Sequence, residues 1–168
     1  DQLNQKFKYK NLNHEDYFWS NTLTETENGK RLYMHDMSFK QAIERAYKIK
    51  NLDGISGMEI REKNTKLHIK NLINNNKLKE SFSILEMFGG TGIILYKIKK
   101  EFPNCQPIQV DILRHKAWKE IKIQQPDHLF YQINFINLID KCKTPLNLDV
   151  LITYNTWRGW DVENNNTP

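Results

Sequence analysis

The sequence predicts an α/β protein in which a parallel sheet follows a mainly helical N-terminal extension. After residue 80, four short apolar runs alternate with helical patterns of about ten residues, as right-handed strand–helix–strand units require. Before residue 80 the sequence is more polar, and its apolar residues recur at helical spacing in two places. We therefore expect residues 1–80 to form a helical extension or cap and residues 81–168 to form the sheet domain.

Two helices are predicted in the extension. Ser38-Phe39-Lys40-Gln41 has the form of a capping box, which begins a helix because the Ser and Gln side chains pair with each other's backbone N–H groups. Asp53–Gly57 is rich in turn residues and predicts a loop. A second amphipathic helix is predicted from Glu62 to Leu78, ended or interrupted by the asparagines at 74–76.

The sheet domain is predicted to contain four strands and two crossover helices. The strands are expected at Ser83–Phe88, Pro107–Val110, Leu129–Ile133 and Leu148–Tyr154. The helices are expected at Ile93–Phe102 and Leu113–Ile123. The polar tail that follows has no strand pattern, and a half sheet would leave an edge and a core uncovered. Either the C-terminal strands are missing from this sequence, which is the simpler expectation, or something else covers that edge.

Composition excludes some classes of protein and leaves others open. With 39% hydrophobic residues the chain can build a core, no apolar run reaches membrane-spanning length, and no signal-peptide layout is present. Two cysteines, Cys105 and Cys142, cannot form a disulfide framework, which favours a reduced, cytoplasmic setting. The net charge of +5 comes mainly from residues 1–80 and is interleaved with acids. It favours a solvated basic surface over a nucleic-acid footprint.

A glycine cluster follows the first strand of the sheet domain. Three of the seven glycines lie within residues 89–92, at the start of the first crossover helix. Glycine permits positive φ and close ligand approach, and a helix N-terminus attracts anionic groups. Asp111 then ends the second strand, where a carboxylate can accept both hydroxyls of a ribose. A tight turn alone would also need glycine, but the cluster together with Asp111 predicts a nucleoside ligand.

Glu86 and Gly90-Thr91-Gly92, without a third spaced glycine, resemble motif I of the class I S-adenosylmethionine-dependent methyltransferases. The resemblance implies S-adenosyl-L-methionine as cofactor and a three-layer, Rossmann-like parallel sheet, normally of seven strands. It implies that Gly90 and Gly92 line the methionine part, that Asp111 holds the ribose, and that the residues after Asp111 and after the third strand meet the adenine. The implied cofactor-binding set is Glu86, Phe88, Gly89, Gly90, Gly92, Asp111, Ile112, Asn134 and Phe135.

The segment from Leu148 to Asn155 resembles the family's motif IV strand, whose C-terminal end faces the transferred methyl group. Polar and aromatic residues beyond that edge line the ligand crevice of open α/β sheets. We expect Asn155 and Arg158 to be catalytic and Trp157 and Trp160 to bind the acceptor. An arginine between tryptophans suits a phosphate, a carboxylate or a sugar.

Three functions remain open at this point. The first is methyl transfer to O or N of a small-molecule or saccharide-like acceptor. The second is methylation of DNA or RNA, of the adenine type. Phe88 gives the F-x-G-x-G form frequent in such enzymes, but the two prolines of their (D/N/S)-P-P-(Y/F/W) motif are absent. The third is a catalytically inactive methyltransferase-like subunit. The five histidines show no metal-ligand spacing, so no metal is expected, and His115 is expected on a helix surface.

Overall fold

A computed structural model describes residues 23–25, 31–48, 50, 54–133 and 147–153 of the chain. These residues form an α/β fold with a four-stranded parallel sheet, four α-helices and a two-stranded antiparallel sheet. None of the helices in this part of the chain combines the length and the apolar character needed to cross a lipid bilayer.

The N-terminal part contains two short strands and two helices. Strand β1 (Leu23–Glu25) pairs antiparallel with β2 (Arg31–Tyr33), and a 3-10 turn at Met34–Asp36 leads into helix α1 (Phe39–Lys48). These two strands were not predicted from the sequence. Each has only three residues, which is too short for a period-two pattern to be recognised.

The predicted cap of helix α1 is confirmed. The Gln41 backbone N–H donates to Ser38 Oγ over 3.2 Å, and the Ser38 backbone N–H donates to Gln41 Oε1 over 3.0 Å. These two bonds satisfy two of the N–H groups that a helix start leaves without partners.

Helix α2 (Gly57–Asn74) begins earlier than predicted. A second capping box fixes its start, since the Glu59 N–H donates to Ser56 Oγ over 3.0 Å and the Ser56 N–H donates to Glu59 Oε2 over 2.6 Å. The helix ends within the asparagine run at 74–76, which was predicted either to end or to interrupt it. Leu67, which the helical spacing of apolar residues predicts on the apolar face of this helix, is exposed.

The predicted strands of the sheet domain are confirmed within two residues at either end. The elements in chain order are β3 (Ser83–Met87), α3 (Ile93–Glu101), β4 (Gln106–Asp111), α4 (Ala117–Gln124), β5 (Leu129–Gln132) and β6 (Val150–Thr153). Helix α4 begins four residues after the predicted Leu113.

The parallel strands are arranged in the order β5-β4-β3-β6. The chain thus moves outward from β3 through β4 to β5 and then returns to the other side of β3 for β6. Ile152, Glu86, Gln109 and Phe130 stand in register across the sheet and so share one face.

Helices cover this shared face. One buried cluster joins Ile69 of α2 and Ile98 of α3 to Ile84 and Ile152 of the sheet. A second cluster joins α1, α3 and α4, and Phe130 of β5 packs against it. The opposite face forms a third cluster that contains no residue of the four helices. The described residues therefore form two layers, and the third layer of the expected arrangement stays a prediction.

Candidate functional site

The connection from β3 to α3 is a tight turn with left-handed backbone. Phe88, Gly90 and Gly92 have φ values of +56°, +57° and +82°. Glycine adopts such angles without steric cost, which explains Gly90 and Gly92. Phe88 is a bulky residue with positive φ, an uncommon conformation that costs energy, and 39% of it is exposed. Phe88 is therefore not fully packed against the protein.

Gly89 is required by close packing rather than by its φ. A Cβ atom there would overlap the side-chain amide of Gln109 and lie 2.6 Å from Glu86 Oε2. The Gln109 amide lies beneath the turn, since its Oε1 is 3.6 Å from the position of a Cβ on Gly92. No motif or spacing in the sequence indicates Gln109, which reaches the turn because β4 pairs with β3 in a register that places it opposite Glu86.

Asp111 ties the turn to the end of the neighbouring strand. Its Oδ2 accepts the Gly90 backbone N–H over 2.9 Å, and its Oδ1 accepts the Leu113 N–H over 2.9 Å. A carboxylate has about four acceptor positions, so two remain for other donors. Ile112, which lies between Asp111 and Leu113 in the sequence, is half-buried. Its carbonyl accepts the Gln132 side-chain N–H over 3.2 Å.

His115 and Trp118 complete the surroundings of Gly90. The Trp118 Nε1–H donates to the Gly90 carbonyl over 2.8 Å. His115 is 3% exposed, and its Nε2 lies 3.8 Å from Asp111 Oδ1. The expectation that His115 lies on a helix surface is therefore wrong, because it precedes α4 and the loop turns its ring inward.

Glu86 is a buried carboxyl group beside this turn. Burial raises its pKa to about 8, because the charged form loses its hydration; the Gln109 amide and Arg61 partly oppose this, and Asp111 adds to it. Among the described residues, Glu86 Oε2 and both polar atoms of the Gln109 amide have no hydrogen-bond partner. Glu86 is thus mainly protonated, and uncharged, at neutral pH.

The segment before α1 packs against the same turn. Met34 Sδ lies 3.8 Å from the position that a Cβ atom on Gly90 would occupy. The His35 carbonyl accepts the Lys116 N–H over 2.8 Å, and the Phe39 N–H donates to Glu120 Oε1 over 3.2 Å. The N-terminal extension is therefore part of the walls around Gly90, which sequence spacing did not indicate.

The structure brings together part of the predicted site. Glu86, Gly89, Gly90, Gly92 and Asp111 meet at the C-terminal edge of the sheet, with Phe88 and Ile112 beside them. The other predicted residues lie outside the described residues: Asn134, Phe135, Asn155, Trp157, Arg158 and Trp160.

No group of three or more metal-ligating side chains occurs in the described ranges. Comparison of the chain with protein-family models, curated proteins and solved structures finds no match. Any functional assignment therefore depends on the residues and the geometry of this edge.

Proposed function

We propose that the chain binds S-adenosyl-L-methionine at the glycine turn and transfers its methyl group to O or N of a small-molecule or saccharide-like acceptor. The proposal is supported above all by one contact, the 2.9 Å hydrogen bond from the Gly90 N–H to Asp111 Oδ2. It joins the glycine turn to the strand-ending acid, the two features from which the sequence resemblance was drawn.

The strand order supports a ligand at this place. In open α/β sheets, ligands bind outside the carboxyl ends of the strands where the order reverses direction. The order β5-β4-β3-β6 reverses beside β3, the strand that leads into the glycine turn. The same order, 3-2-1-4 counted along the chain, begins the Rossmann arrangement.

The residues present fit the proposed cofactor. Asp111 keeps acceptor positions that ribose hydroxyls could use, and Gly90, which is half-buried, carries no side chain that would keep a ligand from the backbone. When bound, S-adenosylmethionine supplies a methyl group already activated by its sulfonium. The chain then has to hold the nucleoside, exclude water and align an acceptor.

Charge pairing favours a small acceptor over nucleic acid. Within the described residues, five lysines pair with carboxylates of the same chain: Lys40, Lys50, Lys66, Lys70 and Lys99. Such pairs leave less positive surface for phosphate contacts.

A nucleic-acid acceptor is the second candidate, and Phe88 is the observation that favours it. Its partly exposed ring stands at the turn, where an unstacked base could pack on it. Measurement of acceptor binding against salt separates the two: affinity for an oligonucleotide falls steeply with salt, whereas affinity for a neutral metabolite is flat.

Calorimetry with S-adenosylmethionine and S-adenosylhomocysteine tests the cofactor assignment. We expect both to bind the wild type. Asp111→Ala should weaken binding by about 1–3 kcal/mol, since hydrogen bonds to ribose are lost.

Asp149→Ala is the matched control. The Asp149 carboxylate also accepts a backbone N–H, from Ser83 over 2.7 Å, but it lies at the opposite end of the strands. The control should keep wild-type affinity. Absence of binding to the wild type at millimolar ligand would refute the proposed function, and equal affinities of the wild type and Asp111→Ala would refute the role of Asp111.

A further inference from the structure

His115 lies beside the two residues that define the proposed nucleoside site, Asp111 and Gly90. Its Nε2 is 3.8 Å from Asp111 Oδ1, and its Cε1 is 3.7 Å from the position of a Cβ atom on Gly90. The side chain is 3% exposed. An imidazole thus lies next to both the carboxylate and the glycine backbone.

One nitrogen of this buried imidazole has no protein partner. Among the described residues, His115 Nδ1 makes no hydrogen bond. Leaving a buried polar atom unsatisfied is costly, so such an atom needs an explanation. With an Nε2–H directed toward Asp111, Nδ1 is a hydrogen-bond acceptor.

The imidazole ring is held in place from two sides. The Trp118 ring lies against it with centroids 5.6 Å apart, and the His35 ring approaches edge-on with centroids 6.5 Å apart. The hydrogen bond from the Lys116 N–H to the His35 carbonyl fixes the backbone on that side. The ring is therefore placed by packing, independently of any bond through Nδ1.

We propose that His115 is a ligand-binding residue whose Nδ1 accepts a hydrogen bond from a ribose hydroxyl. This inference rests on the proposed nucleoside site and deepens it. Asp111 and His115 together offer two neighbouring acceptors, which suit the two adjacent hydroxyls of a ribose. The pair also gives a reason for preferring ribose over deoxyribose, because a missing hydroxyl leaves one buried acceptor unpaired.

Calorimetric titration with S-adenosylhomocysteine tests the proposal. His115→Phe keeps the ring but removes both nitrogens, and should weaken binding by about three- to tenfold, the range for one hydrogen bond. His115→Asn can place an amide oxygen near the position of Nδ1, and should stay within about twofold of the wild type.

His128→Phe is the matched control. His128 is also fully buried with an unpartnered Nε2, but it stacks on Phe130, away from Asp111. Its replacement should leave the affinity unchanged. Should His115→Phe fail to fold, His115→Gln takes its place, since its longer amide reaches the position of Nε2 and should lose affinity in the same way.

A second titration compares adenosine with 2′-deoxyadenosine and 3′-deoxyadenosine. The wild type should prefer adenosine, and His115→Phe should reduce that preference for one of the two deoxy forms. Wild-type affinity and sugar preference in His115→Phe, or equal losses in His115→Phe and His128→Phe, would overturn the role of His115 while leaving the cofactor site standing. Failure of the wild type to bind S-adenosylhomocysteine would overturn both proposals.

Discussion

Replacing Glu86 by glutamine should remove a large part of the pH dependence of folding stability. Burial raises the pKa of Glu86 from 4.5 to about 8, so the folded chain keeps a proton that the unfolded chain has lost. The contribution of protonated Glu86 is fully present below pH 4.5 and is lost as the pH rises toward 8.

The size of the effect follows from proton linkage. A difference of one bound proton changes the free energy of unfolding by about 1.4 kcal/mol per pH unit. Across the window from 4.5 to about 8 the loss amounts to about 5 kcal/mol, which is comparable to the whole stability of a small domain. Glutamine has a similar shape and no titration, so its variant should escape this loss.

Urea unfolding followed by circular dichroism at pH 5, 6, 7 and 8 measures the effect. The other groups titrate alike in both proteins, so the difference in unfolding free energy isolates Glu86. The free energy of unfolding of Glu86→Gln, relative to that of the wild type, should increase with each step in pH. Glu80→Gln, at an exposed glutamate, is the control and should run parallel to the wild type. Parallel curves for Glu86→Gln as well would show that the buried carboxyl is not protonated in the folded state.

Two further substitutions probe the packing under the turn and beside it. Gly89→Ala should lower the free energy of unfolding by roughly 1–3 kcal/mol in urea, because its Cβ would overlap the Gln109 amide. Gly57→Ala is the control and should be neutral or stabilising, since a Cβ there meets nothing within 4 Å. Equal effects of the two substitutions would contradict the clash at Gly89. His128→Phe should reduce acid sensitivity, because burial lowers the pKa of His128 from 6.5 to about 3 and so costs the wild type stability as the pH falls through that range. An unchanged loss of stability between pH 6.5 and 4 in this variant would contradict that burial effect.

Strand β3 was predictable because residues on both of its faces are buried. In β3, Ile84, Leu85, Glu86 and Met87 are all buried, so most of the strand reads as a continuous apolar run. The turn at Gly90 and Gly92 was predictable for a different reason, because a positive φ favours glycine. In both cases a local physical requirement, burial or positive φ, restricts the residue types at neighbouring positions of the sequence.

Some helix starts carry a sequence motif that predicts them, and others do not. The start of α2 at Gly57 was missed, although Ser56 and Glu59 carry the S-x-x-E spacing of a capping box. The start of α4 had no such mark. The preceding loop is held by distant contacts, the Leu113 N–H on Asp111 and the Lys116 N–H on the His35 carbonyl.

The residues around Gly90 other than glycine and Asp111 could not be predicted. Gln109, His115 and Met34 reach the turn through strand register, a loop path and the packing of the N-terminal extension. These depend on tertiary structure, and no spacing in the sequence encodes them. Residues with a special backbone conformation or a charge could therefore be predicted, whereas residues that the tertiary fold brings to the turn could not.

The hydrogen bonds on Gly90 have a consequence for binding thermodynamics. Its N–H is held by Asp111 and its carbonyl by Trp118, so the turn is fixed on both sides by the protein itself. A ligand does not have to order a loosely held loop, and the entropic cost of binding falls mainly on the ligand. The turn is a preorganised surface, on which small losses of hydrogen bonding should register directly as losses of affinity.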